Sequence, residues 1–185
     1  MTQNLGITDG WLVPARHLCS PHQNPRPENE VSLLVIHGIS LPPGEFGGPW
    51  IDDLFMGRLD AEAHPYFALI AGLQVSAHCL IRRDGELVQY VPFSARAWHA
   101  GVSSYAGRPA CNDYSIGIEL EGTDDSGYTP AQYETLVAVT RVLLQHYPDL
   151  TPERIVGHSD IAPGRKTDPG PGFDWDLYRQ LLTSV

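Results

Sequence analysis

Two histidines and one aspartate stand where metal sites are often built, at strand ends and in the loop that follows. Residues 31–36 form a short apolar run that ends at His37, and residues 154–157 form another that ends at His158. Asp168 follows ten positions later, in a loop stiffened by three prolines. Two histidines and a carboxylate, with the fourth position left to water, are typical of hydrolytic zinc sites. The same spacing also fits strand-terminating histidines and a turn-capping aspartate, so spacing alone leaves both readings open.

Two further charged residues fit the same chemistry. Residues 114–120 alternate like a strand, which places Glu119 on the polar face, and a carboxylate beside an activated water is the natural general base. Lys166 precedes Asp168 by two positions, where an ammonium can stabilise an oxyanion. Each also fits an ordinary solvated side chain, and the neighbouring Glu121 shows how common such residues are.

The elements that must position these side chains alternate between strands and helices. The pattern predicts strands over residues 31–36, 75–81, 86–91, 114–120 and 154–158, and helices over residues 50–59, 129–147 and 175–182. Asp84-Gly85 between two strand-like runs predicts a hairpin. We therefore expect one α/β domain over residues 1–185, with a mixed central β-sheet flanked by helices and residues 1–30 as an irregular lead-in.

Net charge, hydropathy and cysteine spacing limit which partners the protein is expected to bind and in which compartment it is expected to act. The 185 residues carry a net charge of -10, which disfavours nucleic acid and anionic membranes. No apolar run approaches the roughly 20 residues of a spanning helix, and the first ten residues show no secretory signal. The three cysteines are widely spaced, which favours a reducing compartment. A cytoplasmic monomer that binds neither nucleic acid nor membrane is the expectation.

Five ordered motifs carry a resemblance to a known family. Residues 35–37, 75–78, 97–101, 115–122 and 157–170 read VIH, VSAH, AWHAG, SIGIELEG and GHSDIAPGRKTDPG. Together they resemble the zinc-dependent N-acetylmuramoyl-L-alanine amidases of type 2, and within them the cytoplasmic branch that acts on 1,6-anhydro-muropeptides in cell-wall recycling. The resemblance extends from Trp11 to about Tyr178. It implies the α/β fold shared with peptidoglycan-recognition proteins and the T7 phage lysozyme amidase.

The resemblance also implies a reaction and its residues. The family hydrolyses the amide between the lactyl group of (anhydro)muramic acid and the L-alanine of the stem peptide, so a small muropeptide is the expected substrate. Its ligands for one zinc ion correspond to His37, His158 and Asp168. Its catalytic glutamate corresponds to Glu119 and its oxyanion lysine to Lys166.

Other positions are weaker candidates. Trp98 and Tyr66 are expected to contact substrate through their aromatic faces, and Ala162 is a third substrate-contact candidate. His99 has two alternatives, assistance near the site or satisfaction of a backbone group, and the second is the expectation. Gly38 departs from the family branch, whose members commonly carry Asn at that position.

Three rival readings remain open at this stage. One is a peptidoglycan-binding module without activity, and another is a closed structural zinc site with Cys79 or Cys111 as fourth ligand. The third keeps the reaction but assigns it to a phage-type or secreted amidase acting on intact peptidoglycan.

Overall fold

The computed structural model describes residues 5–184, so residues 1–4 and 185 of the expected domain lie outside the described residues. The strands are β1 (Gly6–Thr8), β2 (Trp11–Val13), β3 (Arg16–His17), β4 (Gln23–Pro25), β5 (Leu33–Ile39), β6 (Cys79–Ile81), β7 (Leu87–Gln89), β8 (Ala95–Ala97), β9 (Ser104–Tyr105), β10 (Arg108–Pro109), β11 (Ser115–Glu121) and β12 (Ile155–Gly157). The helices are α1 (Trp50–Phe55), α2 (Phe67–Ile70), α3 (Pro130–His146), α4 (His158–Ile161) and α5 (Trp175–Thr183), with 3-10 turns at Cys111–Asp113 and Pro152–Arg154.

Six strands form the central sheet in the order β12-β5-β11-β6-β7-β3. β5 runs parallel to both β11 and β12, and β11 runs parallel to β6. β6 and β7 are antiparallel and form the hairpin predicted at Asp84-Gly85, where Gly85 takes a positive φ of 88°. The mixed sheet flanked by helices confirms the predicted fold class.

Apolar side chains cover both faces of this sheet. Ile116, Ile118 and Leu120 of β11 are fully buried in one cluster with the apolar faces of α3 and α5, which confirms the predicted alternation of that strand. A second cluster joins Leu80 and Val88 to the buried residues of α1 on the other side. The polar face of β11 is thereby left to Ser115, Gly117 and Glu119.

Helix α3 begins at a capping box. The Thr129 hydroxyl accepts a hydrogen bond from the Gln132 amide at 3.2 Å, and the Gln132 side chain accepts one from the Thr129 amide at 3.0 Å. Pro130 occupies the first helical position, where its missing N–H is not needed. These features confirm the predicted N-terminus of the helix.

Removing this cap is expected to destabilise the protein. Thr129→Ala leaves the backbone N–H of Gln132 without its acceptor, so the free energy of unfolding should fall by about 1 kcal/mol. Thermal unfolding should then shift down by roughly 2–4 °C. Thr8→Ala, at the exposed end of strand β1, is the control, and equal Tm values for the two variants would contradict the assigned cap.

Several predicted boundaries were wrong. β5 does not stop before His37 but continues to Ile39, because β11 pairs with it as far as Glu121. The helix predicted over residues 50–59 ends at Phe55, since Gly57 follows with a φ of 69°. Residue 158 opens helix α4 rather than closing a strand.

The expected irregular lead-in is also corrected. Within residues 5–30 the chain forms β1 to β4, of which β1 and β2 pair as a hairpin through Asp9 and Gly10, both at positive φ. β3 joins the edge of the central sheet beside β7. The prolines that exclude a long helix here still permit short edge strands. None of the helices in residues 5–184 is long and apolar enough to cross a membrane.

Candidate metal centre and active-site cleft

The register of the central strands places the candidate residues side by side. His37 of β5 lies directly opposite Glu119 of β11 in the parallel ladder. On the other side of β5, β12 pairs as far as Gly157, so His158 follows at the same end of the sheet. The loop beyond α4 returns Asp168 to this point, where the Ser159 amide donates to the Asp168 carbonyl at 3.0 Å.

Three donor atoms converge at this end of the sheet. His37 Nδ1 and His158 Nδ1 are 3.0 Å apart. Asp168 Oδ2 lies 3.2 Å from the former and 3.1 Å from the latter. The spatial convergence expected of these three residues is therefore present, in a buried or half-buried setting.

The triangle formed by His37 Nδ1, His158 Nδ1 and Asp168 Oδ2, the donor triangle, fits a tetrahedral metal ion. Ligands about 2.0–2.1 Å from a tetrahedral zinc lie about 3.3 Å from one another, close to the three observed separations. Burial lowers the pKa of His37 to about 4, so its imidazole is neutral and can offer a lone pair. His158 directs its other ring nitrogen, Nε2, at the Ala100 carbonyl, 3.2 Å away, as metal-bound histidines usually do.

The cysteines of the rival structural site lie elsewhere. Among residues 5–184, the cluster of potential ligands comprises His37, His158 and Asp168 without a thiol. Cys79 is buried in the apolar core, and Cys111 Sγ lies 3.3 Å from the Tyr114 hydroxyl. A closed site with a cysteine as fourth ligand is therefore not formed.

Glu119 lies next to the donor triangle, and one of its carboxyl oxygens has no hydrogen-bond partner among the described residues. Its Oε1 lies 4.0 Å from His37 Nδ1, and its buried Oε2 has no hydrogen-bond partner among the described residues. Burial, and then the charge of Asp168, raise the pKa of Glu119 well above its ordinary value. A carboxylate of raised basicity beside a metal site suits proton transfer.

A cleft of about 680 Å³ opens over this cluster. Its lining includes Glu119, Lys166 and Asp168 together with the candidate substrate residues Trp98 and Tyr66. Trp98 is held by a hydrogen bond from its Nε1 to Asn24 Oδ1 at 2.7 Å and by stacking on His22. Ala162 does not line this cleft and lies in a separate depression of about 400 Å³.

The glycine at position 38 has a structural explanation. A Cβ built on Gly38 would lie 2.3 Å from the hydroxyl oxygen of Tyr128. That hydroxyl donates a hydrogen bond to the Pro169 carbonyl at 2.9 Å, and the ring packs edge-on against Phe173. Tyr128 therefore fills the space that a side chain at position 38 would need.

His99 occupies a place that the sequence did not reveal. The expectation that it satisfies a backbone group was wrong, since its ring lies between two side chains, His37 and Ser115. Burial lowers the pKa of His99 well below its ordinary value, which keeps the ring neutral. The alternation of Ser115, Gly117 and Glu119 on one face of β11 was the signal that could have indicated a slot for this ring.

The fold and the cluster define a class of protein. Residues 27–171 match the N-acetylmuramoyl-L-alanine amidase family, and the chain belongs to that family. Among individual relatives, it is 66% identical to the 1,6-anhydro-N-acetylmuramyl-L-alanine amidase AmpD of Enterobacter cloacae, over 96% of this chain and 95% of the relative.

Solved structures agree with this assignment. A crystal structure of an AmpD derivative superposes with a TM-score of 0.93 at 65% identity, covering 96% of this chain and 99% of that chain. AmpDh3 from Pseudomonas aeruginosa, in complex with an anhydromuramic pentapeptide, gives a TM-score of 0.60 at 35% identity. That match covers 84% of this chain and 61% of the other.

Proposed function

We propose that this chain is a zinc-dependent amidase that cleaves the bond between the lactyl group of 1,6-anhydro-N-acetylmuramic acid and the L-alanine of its stem peptide. The observation that carries the proposal is a cleft lined by His158, Asp168 and Glu119. His37 completes the cluster of donors beside it, and one buried oxygen of Glu119 has no hydrogen-bond partner among the described residues. The 66% identity to a 1,6-anhydro-N-acetylmuramyl-L-alanine amidase supports the choice of substrate.

The reaction divides between the ion and the side chains. Zinc bound by His37, His158 and Asp168 would polarise the amide carbonyl and increase the acidity of a water molecule. Glu119 accepts a proton from the attacking water and returns it to the departing alanine nitrogen. Water thus adds to the carbonyl carbon, the C–N bond breaks, and the products are a lactyl carboxylate and a free amine.

Lys166 supplies positive charge at the cleft. The positive charge of Lys166 opposes the rise in the pKa of Glu119, so the ammonium group is close enough to act on charge that develops beside Glu119. Lys166→Met should lower kcat by about 10²–10³-fold, the effect of losing one oxyanion donor, with little change in KM. The measurement is steady-state hydrolysis, with zinc content as control, and a change confined to KM would contradict the oxyanion role.

The apolar and aromatic side of the cleft suits a sugar ring and a short peptide. Trp98 and Tyr66 offer ring faces there, and Tyr66 is 37% exposed. A relative of 35% identity has been solved with an anhydromuramic pentapeptide, which supports a small muropeptide as substrate. All cysteines of the described residues are free, which supports action in the reducing cytoplasm.

Digestion of two substrates tests the proposal. The zinc-loaded protein is incubated with anhydromuramyl-tripeptide and, separately, with intact sacculi, and products are analysed by mass spectrometry. We expect free tripeptide and anhydromuramic acid from the first and much slower release from the second. Faster release from sacculi would favour the wall-lytic alternative, and binding without cleavage of either would favour a recognition module.

A further inference from the structure

The two histidines of the donor triangle are held in different ways. His158 directs Nε2 at a backbone carbonyl, whereas His37 directs Nε2 at another imidazole, with His99 Nδ1 2.9 Å away. The rings of His37 and His99 meet edge to face, with an interplanar angle of 89°. Because Nδ1 of His37 lies in the donor triangle, its proton belongs on Nε2, and His99 Nδ1 must accept that proton as a hydrogen bond.

The other ring nitrogen of His99 fixes the donor-to-acceptor direction of this series of hydrogen bonds. With Nδ1 accepting, a neutral His99 carries its proton on Nε2, which lies 3.1 Å from the Ser115 hydroxyl. Ser115 is fully buried, and its carbonyl accepts a hydrogen bond from the buried Arg26 guanidinium at 2.8 Å. The backbone that carries this accepting hydroxyl is therefore held by its own strand and by Arg26.

The ring of His99 also has a slot of its own. A Cβ built on Gly117 would lie 2.4 Å from Cγ of His99 and 2.5 Å from its Nδ1. Gly117 is in the middle of β11, where glycine weakens a strand and often marks close approach of another group. The absent side chain leaves room for the imidazole beside β11, within reach of both His37 and Ser115.

We propose that His99, seated on Gly117 and anchored by Ser115, is a positioning residue that selects the tautomer and orientation of His37 for metal binding. This inference rests on the proposed zinc-dependent function and assigns His99 no contact with substrate. It predicts that the neighbour of a ligand, and not only the ligand, determines zinc affinity.

Zinc affinity of two His99 variants tests this role. His99→Leu keeps the bulk but removes the acceptor, so zinc should bind about 10–100-fold more weakly in competition with a chromophoric chelator. His99→Asn keeps an acceptor oxygen near the position of Nδ1 and should stay within about threefold of the unmodified protein. His22→Leu is the matched control, because that histidine is also buried but bonds the Val75 carbonyl away from the triangle.

Gly117→Ala gives an independent test through the slot. The new methyl group would displace the ring of His99, so the variant should lose zinc affinity to about the same degree as His99→Leu. The double variant should bind zinc no more weakly than either single variant, since both remove one interaction. Simple addition of the two losses would contradict the inference.

Nitrogen-15 NMR of the zinc-loaded protein distinguishes positioning from general packing. The unmodified chain should show His37 and His99 as neutral tautomers protonated on Nε2, and His99→Leu should alter the His37 signals. If His99→Leu binds zinc as tightly as the unmodified chain, the inference fails while the proposed function stands. If the unmodified chain binds no zinc, the proposed function fails and the inference fails with it.

Discussion

Replacing Glu119 by glutamine is expected to abolish turnover and leave zinc bound. The amide keeps the size of the side chain but cannot accept the proton of the attacking water, so kcat should fall by about 10²–10⁴-fold. Zinc content should stay at one ion per chain, because Glu119 lies outside the donor triangle. Hydrolysis of anhydromuramyl-tripeptide and metal analysis measure the two properties on one preparation.

The same variant has an expected effect on stability. The buried Oε2 of Glu119 has no partner among the described residues, and burial of a carboxylate without one is unfavourable. The glutamine variant should therefore unfold at the same temperature as the unmodified chain or at a higher one. Glu134→Gln on the exposed face of α3 controls for the change in net charge, and a Glu119→Gln variant that keeps full activity would refute the role as base.

Asp168→Ala is expected to remove zinc and activity together. Apparent zinc-binding free energies of roughly 10–16 kcal/mol in small zinc domains set the scale, so losing one of three protein ligands should weaken binding by roughly 3–5 kcal/mol, or at least about 10²-fold. The two remaining Nδ1 atoms, 3.0 Å apart, would then hold the ion poorly. Chelator competition and residual hydrolysis measure the loss.

Whether Asp168→Ala still folds distinguishes a catalytic metal ion from a structural one. Because the sheet, the two large apolar clusters and α3 do not depend on Asp168, far-ultraviolet circular dichroism of Asp168→Ala should match that of the unmodified chain. Asp149→Asn, in an exposed turn, is the matched control for loss of an aspartate. Unfolding of Asp168→Ala with activity retained in the folded fraction would instead indicate that the ion stabilises the fold and does not take part in catalysis.

The composition of the site was largely predictable, because the positions of its residues relative to the predicted strands indicate which side chains meet. His37 and His158 stand at or just beyond apolar strands, and parallel strands bring such positions to one end of a sheet. Asp168 lies in the proline-restrained loop that follows His158 and is long enough to return to it. Glu119 could be placed on the polar face of β11 from alternation alone. Residue order along the chain thus predicted which side chains meet, although their assigned roles are tested only by the experiments above.

What the sequence could not show depends on neighbours distant along the chain. His99 and Gly117 meet only because β11 runs beside the segment after β8. The glycine on the polar face of β11 indicates space for another group, but neither local pattern identifies His99 as that group. Gly38 reads as a departure until Tyr128 is seen to fill its space. The extension of β5 past His37 likewise requires the pairing of β11, which local composition does not contain.

The pairing of His37 with Glu119 across one ladder has a consequence for how such enzymes diversify. Backbone hydrogen bonds between β5 and β11 maintain the spacing between His37, the proposed ligand, and Glu119, the proposed base, and loops that line the cleft leave from the ends of these strands. Loops of new length or sequence should therefore alter which glycan or peptide fits, with the proposed catalytic centre preserved. Changes in the loops would then alter which substrate binds, while the paired strands β5 and β11 would keep the reacting groups in place.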